Sequence, residues 1–232
     1  MKPDVEGIFD KGSCSEKYVA FIDVLGFSSR VLANFDSALD TFEQVLKSTS
    51  LVNELIEEVE VQVYSDSFIL VSDSFERIVA ASQGILRQTL CNDYLVRGGI
   101  AYGKHLDQSR PPDTYMVSEA VVKAAMVEKS VKFPCVAVHP DVKIEEEWWG
   151  PADSNLERGL LYFGGLVLAN PCMIGWGVSA RTRVEQMLHE HPEHREKYNW
   201  FIELHEAICS PVPMVPPRYF VGVGCDSENR NV

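Results

Sequence analysis

The stretch Tyr18-Val-Ala-Phe-Ile-Asp-Val-Leu-Gly-Phe-Ser28 decides how the chain is interpreted. Residues 18–24 have the β-branched and aromatic composition of a buried strand, and a Gly-Phe-Ser turn follows them. A carboxylate in such a strand is costly unless it is paired or binds a cation. Asp23 is therefore a candidate functional residue.

A second aspartate lies in a similar setting, within Val61-Gln-Val-Tyr-Ser-Asp-Ser-Phe-Ile-Leu-Val71. We predict strands at 59–64 and 67–72 that meet at a sharp turn on Ser65-Asp66. Two carboxylates at the ends of adjacent strands favour a divalent cation, since Mg²⁺ and Mn²⁺ take hard oxygen ligands and also carry substrate phosphates. The alternative is that Asp23 or Asp66 caps a helix or ends a turn.

The composition indicates a soluble globular protein, with 46% hydrophobic and 24% charged residues in 232. The net charge of −13 argues against broad nucleic-acid binding, because an acidic surface repels a phosphate backbone. No apolar run approaches the roughly 20 residues of a membrane span, and the N-terminus has no apolar core of a secretory signal. The six cysteines form no C-x-x-C pair, which favours reduced thiols and a cytoplasmic location.

Hydrophobic periodicity predicts an α+β sandwich in which helices cover one face of a mainly antiparallel sheet. Ser28 or Ser29 is expected to cap the first helix, and Asp73 the helix predicted at 75–91. The predicted helices are 31–56, with a break near 48–50, then 75–91, 116–129 and 180–206, with a break at Pro192. The predicted strands beyond the hairpin are 95–102, 135–138 and 160–168. We expect 1–16 to be a loose lead-in and 211–232 a Pro-rich, disordered tail.

Three motifs occur in an order that resembles the class III nucleotidyl cyclases. Phe21-Ile-Asp-Val-Leu-Gly-Phe-Ser28 resembles the family's F-x-D-I-x-G-F-[ST] motif, and Tyr64-Ser-Asp-Ser67 its Gly-Asp hairpin. Val96-Arg-Gly-Gly-Ile-Ala-Tyr-Gly103 is similar to its R-x-G-I-x-x-G strand. The resemblance covers about residues 18–130. It implies a ferredoxin-like (palm) catalytic domain at 17–210, with a C-terminal extension at 140–210.

One family motif is missing. The V-N-x-A-x-R helix, whose Asn and Arg reach the substrate, corresponds here to 120–128, with Val122 and Met126 at those two positions. In this respect the chain looks most like the bacterial pyrimidine cyclases of the Pycsar anti-phage systems. That resemblance implies conversion of UTP to 3′,5′-cyclic UMP, a homodimer with sites at its interface, and an effector protein that responds to the product.

The resemblance also implies roles for individual residues. Asp23, Asp66 and the carbonyl of Val24 would bind two Mn²⁺ or Mg²⁺ ions. The backbone N–H groups of Gly26-Phe27-Ser28 at a helix N-terminus would bind phosphates; the alternative is a plain strand-to-helix turn. Arg97 would contact phosphate or base, and its alternative is a structural ion pair with an acidic neighbour.

Base choice is assigned to residues near the hairpin. Gln62 stands near the family's purine-reading Lys, and Thr114–Tyr115 stands near its acidic partner. Gln62 and Tyr64 alternate onto one face of the strand, and both offer donor and acceptor atoms to a uracil edge. Tyr64 could equally be an ordinary core residue.

Other clusters carry weaker hypotheses. Lys123, Lys129 and Lys132 could replace the missing Arg across a dimer interface, or simply face solvent. His189-Glu-His-Pro-Glu-His194 could bind zinc, but Pro192 breaks the helical face that would make the ligands converge. Trp148-Trp149 is more typical of a packing anchor or a dimer contact than of a platform for stacking.

Three other functions stay open. The chain could be a cytidylate or purine cyclase, an inert nucleotide-binding module, or a metal-dependent phosphohydrolase.

Overall fold

The computed structural model describes residues 14–110, 113–172 and 177–219, apart from the side chains of residues 48, 51–55, 108–110, 113 and 114. Eight strands form one mixed, mostly antiparallel sheet. The elements in chain order are β1 Ser15–Val24, α1 Phe27–Ala33, α2 Phe35–Leu55, β2 Glu60–Tyr64, β3 Ser67–Ser72, α3 Phe75–Cys91, β4 Val96–Arg110, β5 Asp113–Ser118, α4 Glu119–Ser130, β6 Val136–Val138, β7 Leu160–Phe163, β8 Leu166–Ala169, α5 Gly177–Glu190 and α6 Arg195–Cys209.

The sheet order is β2-β3-β1-β4-β6-β8-β7, and β5 pairs with β4 beyond the end of β1. The pairing of β4 with β6 is parallel, while the others are antiparallel. The α+β class and the mainly antiparallel sheet are therefore confirmed. β1 lies at the centre, between β3 and β4, so residues at its C-terminal end have strands on both sides.

Helices cover both faces of the sheet, which corrects the expectation of one covered face. Ala20 and Ile22 of β1 pack with the buried residues of α3 in the main core. The alternate residues Val19 and Phe21 pack instead with Ala120 of α4. Successive side chains of a strand point to opposite faces, so α4 lies on the face that also carries Asp23.

Glycine allows α4 to lie this close to the sheet. A Cβ at Gly99 would lie 2.2 Å from the carbonyl oxygen of Ala124 and 2.6 Å from Cβ of Val127. Only a residue without a side chain fits there.

Several helix boundaries and caps differ from the prediction. The first helical segment breaks at Asn34 instead of near 48–50, because the Asn34 side chain accepts a hydrogen bond from the Ser37 N–H (3.1 Å) and starts α2. Ser28 and Ser29 lie inside α1, whose N-cap is Gly26. Asp73 is not the cap of α3 either: Ser74 accepts from the Arg77 N–H, and Asp73 pairs with Lys17 at 2.6 Å.

The segment after α6 packs against the body at least as far as residue 219, in contrast to the expected disordered tail. Met214 and Val215 are buried. The Met214 carbonyl accepts from the Tyr162 N–H at 2.9 Å, and the Met214 N–H donates to Asn155 Oδ1 at 2.9 Å. Residues 220–232, like residues 1–13, lie outside the described part of the chain.

Within the described residues, no helix combines the length and the apolar character that a membrane crossing requires.

Candidate active site

Asp23 and Asp66 lie at the same end of the central strands. Asp23 is opposite Ser67 in the β1–β3 pairing, and Asp66 immediately precedes Ser67 in the two-residue turn. The Val24 N–H donates to the Asp66 carbonyl at 3.0 Å, which ties the two segments together. The predicted juxtaposition of the two aspartates is therefore present.

Each carboxylate is oriented by a serine from the other segment. Ser67 Oγ donates to Asp23 Oδ1 at 3.2 Å, and Ser28 Oγ of α1 donates to Asp66 Oδ2 at 3.3 Å. These hydrogen bonds limit the rotamers of the two carboxylates and leave their remaining oxygen lone pairs for other ligands.

The two negative charges are coupled. Partial burial, and then the charge of Asp66, raise the pKa of Asp23 from 3.8 to about 6. Glu128 also raises this pKa, while the Ser67 hydrogen bond and the Arg97 charge lower it. A bound cation would relieve this repulsion, so the donor set fits a hard divalent metal.

Two side chains do not complete a metal site by themselves. Among the described residues there is no cluster of three or more His, Cys, Asp or Glu arranged to hold a metal ion. Mg²⁺ typically takes one or two carboxylates and fills its other positions with water and substrate phosphates, so the pair suffices for that kind of site. The metal role of the Val24 carbonyl stays a prediction.

The turn at Gly26-Phe27-Ser28 has a clear structural explanation. Gly26 has φ +79°, a left-handed conformation that glycine adopts without strain. Phe27 is buried, and its ring lies 5.5 Å from that of Phe42. Ser28 is the one member of the three whose side chain reaches an aspartate. Phosphate binding by the backbone stays a prediction.

Arg97 forms the ion pair that was its alternative role. It lies opposite Asp23 in the β1–β4 pairing, but its Nε donates to Glu128 Oε1 at 2.6 Å and a terminal nitrogen contacts the same carboxylate. The Glu128 side chain is only 5% exposed. The guanidinium therefore links β4, beside Asp23, to α4. Contact of Arg97 with a phosphate stays a prediction.

The proposed base-binding residues Gln62 and Tyr64 form a hydrogen-bonded set. Tyr64 Oη donates to Gln62 Oε1 at 3.1 Å, and Gln62 Nε2 donates to Glu60 at 2.9 Å and to Asp107 at 2.5 Å. Tyr64 is 52% exposed, which rules out the alternative of an ordinary core residue.

Asp107 was missed in the sequence because it lies 45 residues from Gln62, in a polar stretch without strand character. It belongs to the second half of β4, where it faces Met116 of β5. The backbone of Thr114 lies in the same β4–β5 hairpin, opposite Ser109, and its side chain is outside the described part. The hairpin thus lies beside the Gln62–Tyr64 set.

The residues at the missing Asn and Arg positions are exposed and apolar. Val122 is 59% exposed and Met126 is 62% exposed on α4. Of the candidate replacements, Lys123 pairs with Glu119 at 2.8 Å, and Lys129 and Lys132 are exposed.

The other two clusters have structural settings. The ring of Trp148 packs edge-on against Phe75, and Trp149 is buried and stacks on Tyr219, as expected of packing anchors. His189, His191 and His194 do not form a metal cluster within the described residues, and Pro192 begins a 3₁₀ turn that separates α5 from α6.

No protein-family model matches this chain, and no curated protein is significantly similar to it. Solved cyclase domains overlap with the structure in part. A bacterial light-regulated adenylyl cyclase has 16% identity and a TM-score of 0.48, covering 75% of this chain and 99% of that one. The adenylyl cyclase CyaB from P. aeruginosa has 11% identity and a TM-score of 0.48, with coverages of 67% and 92%. The guanylate cyclase domain of RhGC from Catenaria anguillulae, in complex with GTP, has 12% identity and a TM-score of 0.45, with coverages of 53% and 77%.

Proposed function

We propose that the chain is a metal-dependent nucleotide cyclase that converts a pyrimidine nucleoside triphosphate, preferably UTP, to 3′,5′-cyclic UMP and pyrophosphate. The observation that carries this proposal is the pair Asp23 and Asp66, held together by the Val24–Asp66 hydrogen bond and oriented by Ser67 and Ser28. Two carboxylates that converge from separate segments are what metal-assisted phosphoryl transfer requires.

The reaction is an in-line attack of the ribose 3′-hydroxyl on the α-phosphorus, with pyrophosphate leaving. Bound Mn²⁺ or Mg²⁺ would supply activation of the attacking oxygen and neutralisation of the phosphates. Asp23, Asp66 and the Val24 carbonyl would hold the metal. The chain's own contribution is positioning, because this class of reaction depends mainly on orientation and charge.

Preference for uracil would come from the fixed orientation of the Gln62 amide. Both of its donor contacts go to carboxylates, of Glu60 and Asp107, so the nitrogen faces them and Oε1 faces Tyr64. Oε1 keeps one lone pair beyond the one used by Tyr64. An acceptor at this place suits the N3–H donor of uracil and opposes the N3 acceptor of cytosine. This supports UTP over CTP.

A second copy of the chain would complete the site. Exposed apolar side chains lie on β2, β5 and α4: Tyr64, Tyr115, Val117, Val122 and Met126. An apolar surface of this kind is typical of a protein–protein contact. We propose a homodimer with sites at its interface, whose product acts on an effector protein in anti-phage signalling.

An inert nucleotide-binding module is the second candidate. It is favoured by the ion pair of Arg97 with Glu128 and by the apolar Val122 and Met126 at the positions where the cyclase motif has Asn and Arg. Such a protein would bind a metal-nucleotide complex but would not turn it over.

Product analysis separates these functions. The protein is incubated with each of the four NTPs and Mn²⁺, and the products are identified by mass spectrometry. Cyclic UMP as the main product supports the proposal. A cyclic nucleotide of another base corrects the substrate, inorganic phosphate alone indicates a hydrolase, and nucleotide binding without product indicates the inert module.

Asp66→Asn is the test variant for this assay, and Asp73→Asn is its matched control. The control removes one carboxylate charge from an exposed residue in the Lys17 pair, outside the site. Asp66→Asn should lose turnover by at least about 100-fold, while Asp73→Asn keeps it. Equal activity in both variants would remove Asp66 from the metal site.

A further inference from the structure

A cavity of about 230 Å³ lies on the side of α1 where α5 and α6 pack, and neither metal-site aspartate lines it. Leu25 and Gly26 line it from the turn after β1, and Leu95 lines it from the position just before β4. Met187 and Tyr198 line it from α5 and α6. The cavity is therefore formed between the sheet and the C-terminal extension.

Two cations face this cavity without a carboxylate partner. Arg30 of α1 and Lys197 of α6 line it, and within the described residues neither forms an ion pair. Two acidic residues also line the cavity: Asp93 pairs with Arg183, and Glu193 lies 3.4 Å from His191 Nδ1, which neutralises it only when the imidazole is protonated. By comparison, Lys47 and Lys123 each have a carboxylate neighbour on their own helix.

One of the lining residues, Tyr94, has a buried hydroxyl group without a partner among the described residues. Tyr94 is only 2% exposed. The Arg30 guanidinium lies 4.2 Å from the centre of the Tyr94 ring. An unsatisfied buried hydroxyl is destabilising and is commonly satisfied by a ligand or a water molecule.

The other lining residues and the volume of the cavity indicate what kind of ligand it can hold. His194 also lines the cavity and is a further possible donor, while the nearby His191 Nδ1 lies beside Glu193. Such a set suits a dianionic phosphate better than a carboxylate. Leu25, Ala33, Leu95 and Met187 form an apolar lining beside it. The volume is below the roughly 300–1,000 Å³ of sites for drug-sized ligands, so the molecule is small.

We propose that this cavity binds a compact organic phosphate monoester, with its phosphate at Arg30 and Lys197 and its apolar body against Leu25, Leu95 and Met187. The site is separate from the metal aspartates. It also assigns a use to the His189–His194 stretch that does not involve a metal.

The cavity shares α1 with the proposed active site. Gly26, Ser29 and Arg30 line the cavity, while Ser28 in the same helix donates to Asp66. A ligand that holds Arg30 would also hold Ser28 against Asp66. This consequence rests on the proposed function, and predicts that the ligand alters turnover.

The binding test uses the full chain in EDTA and phenyl phosphate as the probe, followed by isothermal titration calorimetry. Lys197→Gln and Arg30→Gln should each weaken binding by about tenfold or more. Lys47→Gln is the matched control, because it removes one exposed lysine of α2 outside the cavity. Asp66→Asn should also bind normally. Phenol and inorganic phosphate, which each lack one half of the ligand, should bind more weakly.

Three outcomes would overturn the proposal: no binding of phenyl phosphate at millimolar concentration, equal binding in Lys197→Gln and the control, or loss of binding in Asp66→Asn. Lys197→Gln keeps the test valid if Arg30→Gln fails to fold. The measurement requires neither metal nor turnover, so a failure of the cyclase assay would leave it intact.

Discussion

Glu128, buried on α4, holds the guanidinium of Arg97, although Arg97 stands directly opposite Asp23 in the neighbouring strand. Nε of Arg97 donates to Glu128 Oε1 at 2.6 Å. A buried carboxylate is tolerated only when its charge is compensated. The pair therefore fixes α4 over the strand end that carries the candidate active site, and Glu128 in turn adds to the raised pKa of Asp23.

Removing one partner of this pair should be more harmful than removing both. Arg97→Gln leaves the Glu128 carboxylate unpaired and should lower the free energy of unfolding by about 3 kcal/mol. The double variant Arg97→Gln/Glu128→Gln should recover most of that loss, as measured by urea denaturation. Equal stability of wild type and Arg97→Gln would contradict a stabilising role of the Arg97–Glu128 ion pair. If Arg97 also contacts phosphate, the double variant recovers stability but not activity.

The raised pKa of Asp23 predicts a pH-dependent stability in EDTA. The folded-state pKa of about 6 lies above the ordinary 3.8, so the folded protein binds the extra proton more tightly. The associated stabilisation is fully present below pH 3.8 and is lost as the pH rises through about 6. The Asn side chain of Asp23→Asn does not titrate. The free energy of unfolding of this variant should therefore exceed that of wild type by about 1 kcal/mol at pH 7.5, after allowance for solvent screening, and by less at pH 5.

Thermal or urea unfolding at several pH values checks this, and a stability difference that does not change with pH would contradict it. Mn²⁺ at pH 7.5 should stabilise wild type and leave Asp23→Asn unchanged, which separates the electrostatic effect from metal binding.

Glycine at position 65 should make the protein more stable than the serine that is there. It is the first residue of the two-residue β2–β3 turn and has φ +55°, a left-handed conformation that costs a residue with a Cβ about 1–2 kcal/mol. Ser65→Gly should raise the free energy of unfolding by about 0.5–1 kcal/mol. This net gain is smaller than the relieved strain because glycine also increases the entropy of the unfolded chain. Ser65→Val should lower it, because a β-branched residue fits this conformation poorly. A stability order of Val above Gly would refute the turn geometry.

Asp107→Asn should change base preference. The new amide can donate to Gln62 as well as accept, so the Gln62 amide is free to turn over and present its nitrogen to the base. We expect the ratio of kcat/KM for UTP over CTP to fall by about tenfold. Lys104→Gln, on an exposed residue of the same strand, should leave the ratio unchanged. An unaltered ratio in Asp107→Asn would remove Asp107 from base selection.

Gly99→Ala should be strongly destabilising. Its Cβ would lie 2.2 Å from the Ala124 carbonyl oxygen, so α4 would have to move away from β4, at a cost of about 1–3 kcal/mol. Gly103→Ala is the matched control, since its nearest contacts are at 3.3 Å. Denaturant unfolding that gives the same stability for both variants would contradict the close packing of α4.

The hairpin and α3 could be predicted from the sequence because their signals are local. Strands predicted at 59–64 and 67–72 are observed as Glu60–Tyr64 and Ser67–Ser72, and the helix predicted at 75–91 is Phe75–Cys91. Alternating apolar residues, the turn and the Ser74 cap are all contained within a few residues of each element.

The second half of β4 could not be predicted in that way. Residues 104–110 are mostly polar, and they form a strand because β5 pairs with them beyond the end of β1. The predicted helix at 116–129 began too early because Met116 and Val117 are apolar, although Ser118, the true N-cap, was a local signal of its start. The expected single strand at 160–168 is a hairpin with a turn at Gly164-Gly165.

The residues of the candidate site also differ in whether a local sequence pattern could predict them. Both aspartates could be picked out from their neighbours in the sequence, because Asp23 lies in an apolar strand and Asp66 in the short turn between two apolar strands. The contacts of Arg97 with Glu128 and of Gln62 with Asp107 join residues 31 and 45 positions apart, so no local pattern contains them. The sequence offered an acidic partner for Arg97 as an alternative without identifying it.

The turn between β2 and β3 limits which sequence changes this protein can accept during evolution. Tyr64 pairs with Ser67, so only Ser65 and Asp66 connect the strands, and there is no slack in the chain at this point. Surface loops usually absorb insertions and deletions freely. Here one added residue would either displace Asp66 from Asp23 or shift β3 by one position, which would exchange the side chains that pack on its two buried faces. Relatives that keep the chemistry should therefore vary in residue type at this turn but never in its length.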